Sequence, residues 1–397
     1  MATTIHEFDA VVLGAGAAGM MCAIEAGKRG KWVAILERAE RAGKKILISG
    51  GGRCNFTNLH CGPGNFISAN PHFAKSALAR YTPADFIALV EKHQITYHEK
   101  TLGQMFCDKS AADIVQMLET ECRSAGTQIF TNCDIREIRR PDEFVVCTDS
   151  VEFHAPVLVV ATGGLSIPKI GATPLGYDLA RQFGIKIQPT KPALVPLLLG
   201  KKDGADYCDL AGVSAEVIAC FADQSFREKM LITHRGLSGP AILQISSYWG
   251  ANQPIKIDLA PDHEFSPAIR NAKVRNIAAA RAALQGILPK RLATRWMDLH
   301  TPPTWTNTEL DRVERQLHEW VIEPSGTEGY EKAEVTAGGV DTDELSSKTM
   351  ESRKIPGLFF YWRSGGCNRA TRRIQFSMGL GVGGGGGTIP IRRVRTL

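Results

Sequence analysis

A short glycine pattern constrains this chain more than any other feature. Phe8 to Leu13 (FDAVVL) is an apolar run that ends at Gly14-Ala15-Gly16-Ala17-Ala18-Gly19. Ala17 to Lys28 then reads as a small-residue helix, and Trp32 to Leu36 (WVAIL) as a second buried strand closing on Glu37. Strand, G-x-G-x-x-G, helix, strand and acid in that order form the βαβ unit that cradles a dinucleotide. Gly14 permits the tight turn, Gly16 admits a pyrophosphate, and Gly19 lets helix and strand pack closely. The helix tip offers free N–H groups to the phosphates. Glu37 stands where a carboxylate accepts hydrogen bonds from ribose hydroxyls.

A second donor-rich segment lies one βαβ step further on. Arg41-Ala-Gly-Lys-Lys45 and Ile46-Leu-Ile-Ser49 lead into Gly50-Gly51-Gly52-Arg53-Cys54-Asn55-Phe56-Thr57-Asn58. Three consecutive glycines cannot sit inside a helix or strand. The loop offers backbone N–H groups and a guanidinium to an anion. Cys54 is the one thiol here placed to donate a proton, although a packed, inert thiol is the more ordinary fate of a cysteine. A third stretch, Pro156-Val-Leu-Val-Val160, is a wholly apolar strand ending in Ala161-Thr162-Gly163-Gly164, where small residues again bring the backbone near a ligand.

Between these stretches, Thr82-Pro83 caps a helix running through His93, and Ser110 opens another that ends near Arg123. Gln128–Phe130, Cys133–Ile138, Phe144–Thr148 and Val151–Phe153 read as a meander of short strands. From about Lys191 the composition changes to short β-type runs (Leu194–Leu199, Val213–Phe221, Ile255–Leu259) that suggest a small β domain or barrel. It contains Thr233-His234-Arg235-Gly236-Leu-Ser238-Gly239-Pro240, a polar loop or a simple turn. Residues 267–300 and 307–322 read as helices. Lys273, Arg275, Arg281, Lys290, Arg291 and Arg295 on the first read as a solvated face, because no aromatic platform accompanies the charge. Glu334–Asp341 and Ile355–Phe360 look like strands returning to the first domain.

Net charge is +6, from 47 basic and 41 acidic residues. Seven of the arginines lie in 361–397, which holds no Asp, Glu or Lys; without them 40 basic residues face 41 acidic ones. The basicity therefore belongs to the tail, and charge alone does not indicate nucleic-acid binding. Ten cysteines without C-x-x-C pairs fit reduced thiols in a cytoplasmic protein, with no disulfide framework or zinc site. His60, His72, His93, His98 and His154 show no ligand spacing, so no metal site is expected. No apolar run is long enough for a membrane span, and the first strand begins too early for a signal peptide. Ser238 has no identifiable triad partner, which argues against a hydrolase.

Taken together, GAGAAG, SGGGRCNFTN, ATGGLSIP, THRGLSGP, GTEGY and AEVTAGGVDT…TMESRKIPGLFF closely resemble the BaiN/RdsA family of FAD-dependent oxidoreductases, in the family's order from residue 8 to about 360. The resemblance implies an α/β, Rossmann-like FAD-binding domain of the two-dinucleotide-binding-domain type. Its first part would be residues 1–190 and its returning part 333–360, with an inserted β domain at 191–262 and a helical subdomain at 263–332. It also implies NAD(P)H as electron donor. The nearest branch resembles bacterial ribosomal RNA dihydrouridine synthases, so uracil C6 would take a hydride and a protein acid, not identified, would protonate C5. Reduction of a small enone or amino ketone is the alternative, and an inactive nucleotide-binding relic a third. The cofactor-contacting set comprises Gly14, Ala15, Gly16, Ala17, Ala18 and Gly19; Glu37, Arg38 and Lys45; Ser49, Gly50, Gly51, Gly52, Arg53, Cys54, Asn55, Thr57 and Asn58; Ile135; and Ala161, Thr162, Gly163 and Gly164.

The resemblance stops after Phe360. The family continues with a Gly-Glu motif and a Gly-Gly-Tyr-Asn segment that closes over the flavin, whereas this chain reads YWRSGGCNRATRRIQFSMGLGV. Choosing permitted codons for Tyr361 to Val382 and reading one base later yields TGEVVDVTGRLGGYNFQWAWA. Residues 361–397 are accordingly read as a frameshifted, disordered terminus that weakens FAD binding. The G-x-G-x-x-G at Gly379, Gly381 and Gly384 is then a decoy without strand–helix context. Resequencing the 3′ end of the gene is expected to restore the family frame; an intact printed frame, in a protein that folds there, would remove the idea.

Overall fold

The computed structural model describes residues 4–361 and the backbone of 367–369. The chain divides into two compact units, one holding the residues through Lys191 and those from Thr336 onward, the other Pro192–Val335.

The first unit is built on a five-stranded parallel sheet. Its elements in chain order are β1 (Ala10–Leu13), α1 (Ala17–Gly27), β2 (Val33–Leu36), α2 (Ala111–Ser124), β3 (Gln128–Phe130), β4 (Val157–Val160) and β5 (Leu358–Phe360), and the strand order is β5-β4-β1-β2-β3. Every residue of β1, β2 and β4 is buried. Both faces of such a sheet are covered, so these strands read as unbroken apolar runs. Alternation still sorts them. Val12, Ile35, Val157 and Val159 pack with α1 and α2, while Val11, Leu13, Leu36, Leu158 and Val160 enter the opposite core.

The expected meander is split between two sheets. Gln128–Phe130 joins the parallel sheet as β3, whereas Val151–Ala155 pairs in parallel with Thr4–Glu7 and antiparallel with Phe144–Cys147, which carries Glu137–Arg139. The strand expected over Cys133–Ile138 shortens because its early N–H groups go elsewhere: Asn132 donates to the Ala39 carbonyl (3.0 Å) and Cys133 to that of Glu37 (2.9 Å). A third, three-stranded sheet holds Tyr97–Glu99, Gln104–Cys107 and Asn55–Asn58. The capped helix is present at Pro83–Lys92, where Thr82 N–H donates to Asp85 Oδ2 at 2.7 Å.

The second unit corrects the expectation of separate β and helical parts. Seven antiparallel strands, in the order Trp320–Ile322, Ile255–Asp258, Ser214–Phe221, Gln224–Ile232, Gly236–Ser238, Leu197–Leu199 and Pro324–Thr327, form one sheet. Its apolar side shares a single core with the helices: Val217, Ala219 and Ile257 lie in one cluster with Trp296, Leu310 and Leu317. One apolar sheet face needs a cover, and the helices provide it. The helix expected over 267–300 is three helices, Ser266–Arg270, Ile277–Gln285 and Lys290–His300; Asn276 caps the second by accepting from Ala279 N–H (2.9 Å), and Pro289 stops the chain before the third. Asn307–His318 ends before Trp320 begins the edge strand. The basic face is largely satisfied within the unit, with Arg281 on Asp298, and Arg295 on Asp209 at 2.6 Å.

The loop at 233–240 is shaped by packing. A Cβ at Gly236 would lie 2.1 Å from the Leu197 carbonyl oxygen, while His234 and Arg235 are exposed. Gly236→Ala is expected to pry two strands apart and lower the thermal midpoint by roughly 5 °C or more, at about 2–4 °C per kcal/mol for a chain of this class. His234→Ala should leave the midpoint nearly unchanged. Differential scanning calorimetry distinguishes the two.

Candidate cofactor site

The three motifs meet at the C-terminal edge of the parallel sheet, where ligands of open α/β sheets bind. Gly14 leaves β1 with φ +102°, and a Cβ on it would lie 2.7 Å from the Ala161 carbonyl oxygen at the end of β4. A Cβ on Gly19 would lie 1.9 Å from the Gly14 carbonyl oxygen, so the helix can approach the strand only without a side chain there. Gly16 differs: no protein atom lies within 4 Å of its Cβ position. Two glycines are thus consumed by packing, and the middle one borders space that a phosphate can take. Gly16 is also the N-cap of α1, with no side-chain cap and no acid in the first turn, which leaves the helix tip to an anion.

Glu37 ties this corner together. Its carboxylate accepts the Ala15 N–H (2.8 Å) and the Ala39 N–H (2.8 Å), one on each oxygen. The sequence assigned it to ribose hydroxyls, yet its first task is to clasp the glycine turn to the end of β2. Each oxygen keeps a second acceptor site for a hydroxyl.

The glycine triple is left-handed, as its composition required. Gly50, Gly51 and Gly52 have φ of +59°, +68° and +85°, and Gly51 and Gly52 border open space. At the end of β4, Gly163 (φ +77°) is likewise open, whereas Gly164 presses against Thr336 and Tyr177. Thr336 Oγ1 also accepts the Ser166 N–H (3.1 Å), a supporting role for which the sequence carried no signal. Three buried side-chain oxygens in these segments lack a partner: Asn55 Oδ1, Thr57 Oγ1 and Thr162 Oγ1. Buried polar atoms are rarely left unpaired. Partnerless oxygens on the two predicted loops, beside an open Gly16 and a free helix tip, fit an extended dinucleotide such as FAD.

Other members of the expected set make contacts within the protein or face solvent. Cys54 lies in the apolar core, and burial pushes its thiol up to about 12, in keeping with the packed reading of this cysteine. Asn58 spends its amide on the Leu102 carbonyl (2.8 Å) and its oxygen on His60 N–H (2.8 Å). Lys45 Nζ donates to Ser166 Oγ (2.6 Å), and Ser49 Oγ to the Ile46 carbonyl (2.7 Å). Arg38 is exposed beside Asp134 (3.5 Å), Arg53 is exposed, and Ile135 packs on the core behind β2. Ala17 and Ala18 pack along α1. After β5, Tyr361 N–H donates to the Val160 carbonyl (2.9 Å), so the chain emerges beside the Ala161–Gly164 turn. The readings of a shifted frame, a disordered tail and a decoy glycine motif fall beyond it, outside the described residues.

The model of the HI0933-like protein Rossmann domain family matches residues 8–362. The chain belongs to this family. It is 46% identical over 366 residues to the ribosomal RNA dihydrouridine synthase of Escherichia coli K12, across 90% of this chain and 91% of that protein. The synthase of the same name from Haemophilus influenzae is 44% identical over 362 residues, across 88% and 90%. The 3-dehydro-bile acid delta(4,6)-reductase of Clostridium scindens is 31% identical over 375 residues, across 88% and 90%. Among solved structures, a 3-ketosteroid-delta4-(5alpha)-dehydrogenase from Rhodococcus jostii RHA1 spans 96% of both chains at 13% identity and a TM-score of 0.47, too loose to argue from. The enzyme is an FAD-dependent oxidoreductase with a Rossmann-type cofactor domain. No helix among the described residues is long and apolar enough to cross a membrane.

The glycines make a sharp test. Gly16→Ala meets no protein atom and is expected to keep the thermal midpoint of the FAD-free parent, yet to lose most of its flavin absorbance near 450 nm (roughly tenfold weaker FAD binding or more, on the order of 1.4 kcal/mol). Gly19→Ala should lose stability and flavin together. A Gly16→Ala protein as yellow as the parent would show that the pyrophosphate lies elsewhere.

Proposed function

We propose that the enzyme reduces a uridine of large-subunit ribosomal RNA to dihydrouridine, with NAD(P)H as the electron donor. FAD held in the cradle would supply hydride transfer from the nicotinamide to C6 of uracil, and a proton from an acid not yet identified would complete the reduction at C5. The chain's own part is to hold and orient. The α1 tip and the Gly14–Gly19 turn take the pyrophosphate, and Glu37 fixes that turn while keeping acceptor sites for ribose. Asn55, Thr57 and Thr162 offer hydrogen bonds to polar ring or ribityl atoms. The reading is supported above all by identity of 46% and 44%, over nine-tenths of each chain, to two ribosomal RNA dihydrouridine synthases.

The target ring must leave its stack to reach such a site, which favours an unpaired loop or a flipped base. Within residues 1–360 recruitment cannot rest on bulk charge, since that part of the chain is close to neutral. Local features must guide the strand. The nine described cysteines are all free thiols, in keeping with work in the cytoplasm. A second reading, reduction of a conjugated small molecule, is favoured by the 31% identity to the bile acid reductase.

Anaerobic stopped-flow of the FAD-loaded enzyme separates the two. NADPH should bleach the flavin, and unmodified large-subunit RNA should restore it, with a gain of two hydrogens at one uridine by mass spectrometry. Reoxidation by small enones but not by RNA would overturn the proposal in favour of the second reading.

A further inference from the structure

The three-stranded sheet of Asn55–Asn58, Gln104–Cys107 and Tyr97–Glu99 has two unlike faces. Phe56, Met105 and Cys107 are buried in the core of the first unit. The other face carries the cross-strand row Asn55, Phe106 and His98, with a register shift just after Asn55. Paired residues share a face, and adjacent strands lie about 4.8 Å apart, so the row spans about 10 Å. Its inner end lies under the glycine triple: a Cβ on Gly50 would fall 2.7 Å from both the Asn55 nitrogen and Phe106 Cε1.

The outer end is aromatic and cationic. The His98 ring stacks on Phe106 at 6.3 Å and 19°, and Lys100 Nζ stands 5.2 Å over the Phe106 ring. Asp108 holds His98 by its Nδ1 at 2.7 Å, which fixes the ring while leaving its side chain 42% exposed. Lys100 and Arg53 are both exposed, and Arg53 lies within electrostatic reach of Asp108, whose carboxyl the His98 hydrogen bond, with help from Arg53, holds below the usual range. Phe106 is buried, with Gly50 at its edge and Lys100 and His98 against its ring, so it serves as the floor of the patch.

We propose that this face is the track along which single-stranded RNA enters: His98 takes a base neighbouring the reacting uridine on its ring, and Lys100 with Arg53 takes the adjoining phosphates. The inference rests on the RNA reading above and locates its recognition surface. A stacking ring flanked by exposed cations is how sequence-tolerant single-strand binders hold RNA. The row leads under the glycine turn to Asn55, whose side-chain oxygen is one of the three without a partner.

Binding of a fluorescently labelled uridine-containing hairpin is measured by anisotropy, with His98→Ala, Lys100→Glu and Lys100→Arg against the parent. His98→Ala and Lys100→Glu are expected to weaken binding about five- to tenfold or more. Lys100→Glu should also flatten the slope of log Kd against log salt by about one contact's worth, and Lys100→Arg should restore both. FAD content, thermal midpoint and the rate at which NADPH bleaches the flavin should not change. Parental affinity in both weakened variants, with RNA still reduced, would overturn this track alone. A parent that neither binds nor reduces RNA would remove the function and the track together.

Discussion

The cofactor corner depends on main chain running where a side chain cannot. At Gly14 and Gly19 the backbones of β1, β4 and α1 approach so closely that a single methyl group would meet a carbonyl oxygen at 2.7 Å or less. This contact sets where the helix tip lies and therefore where its N–H groups point. The Glu37 carboxylate then locks the arrangement by binding the Ala15 and Ala39 N–H groups at once. One acid thus couples the first turn of the dinucleotide fold to the end of its second strand. Preorganised donors of this kind bind an anion without first having to be ordered.

The remaining walls come from distant parts of the chain brought to the same sheet edge. β4 delivers Ala161–Gly164, and the short helix Lys44–Ile48 delivers the glycine triple. β5 returns beside β4 with Phe360 opposite Val160. Because β5 is parallel to its neighbours, the residues after Phe360 start at the cofactor edge rather than at the far side.

Cysteine and histidine show how burial decides chemistry. Cys54 follows a donor-rich glycine loop and looks reactive in sequence, but its thiol is inside the core, where losing water disfavours the thiolate. Cys107, on the neighbouring strand and in the same core, is likewise pushed up to about 12 by burial. His98 carried no recognisable signal, yet strand register puts it beside Phe106 and against Asp108. Redox work in the corner thus falls to a bound cofactor, with polar contacts supplied by side chains other than the thiols.

Local sequence determined the βαβ unit, the capped helices and the loops that border the cofactor, because glycine spacing, apolar runs and capping residues act over a few neighbours. Tertiary structure alone decided how the side chains were used. Glu37 became a clasp, Asn58 and Lys45 were taken up by Leu102, His60 and Ser166, and Gly236 proved to be a packing glycine. It also merged the expected β and helical parts into one unit, since helices and an antiparallel sheet with one bare apolar face close a single core. The reason is common to all of these: a backbone conformation is chosen by its own residue and its nearest neighbours, whereas a side chain's partner can lie more than a hundred residues away, and only the folded chain brings the two within 3 Å.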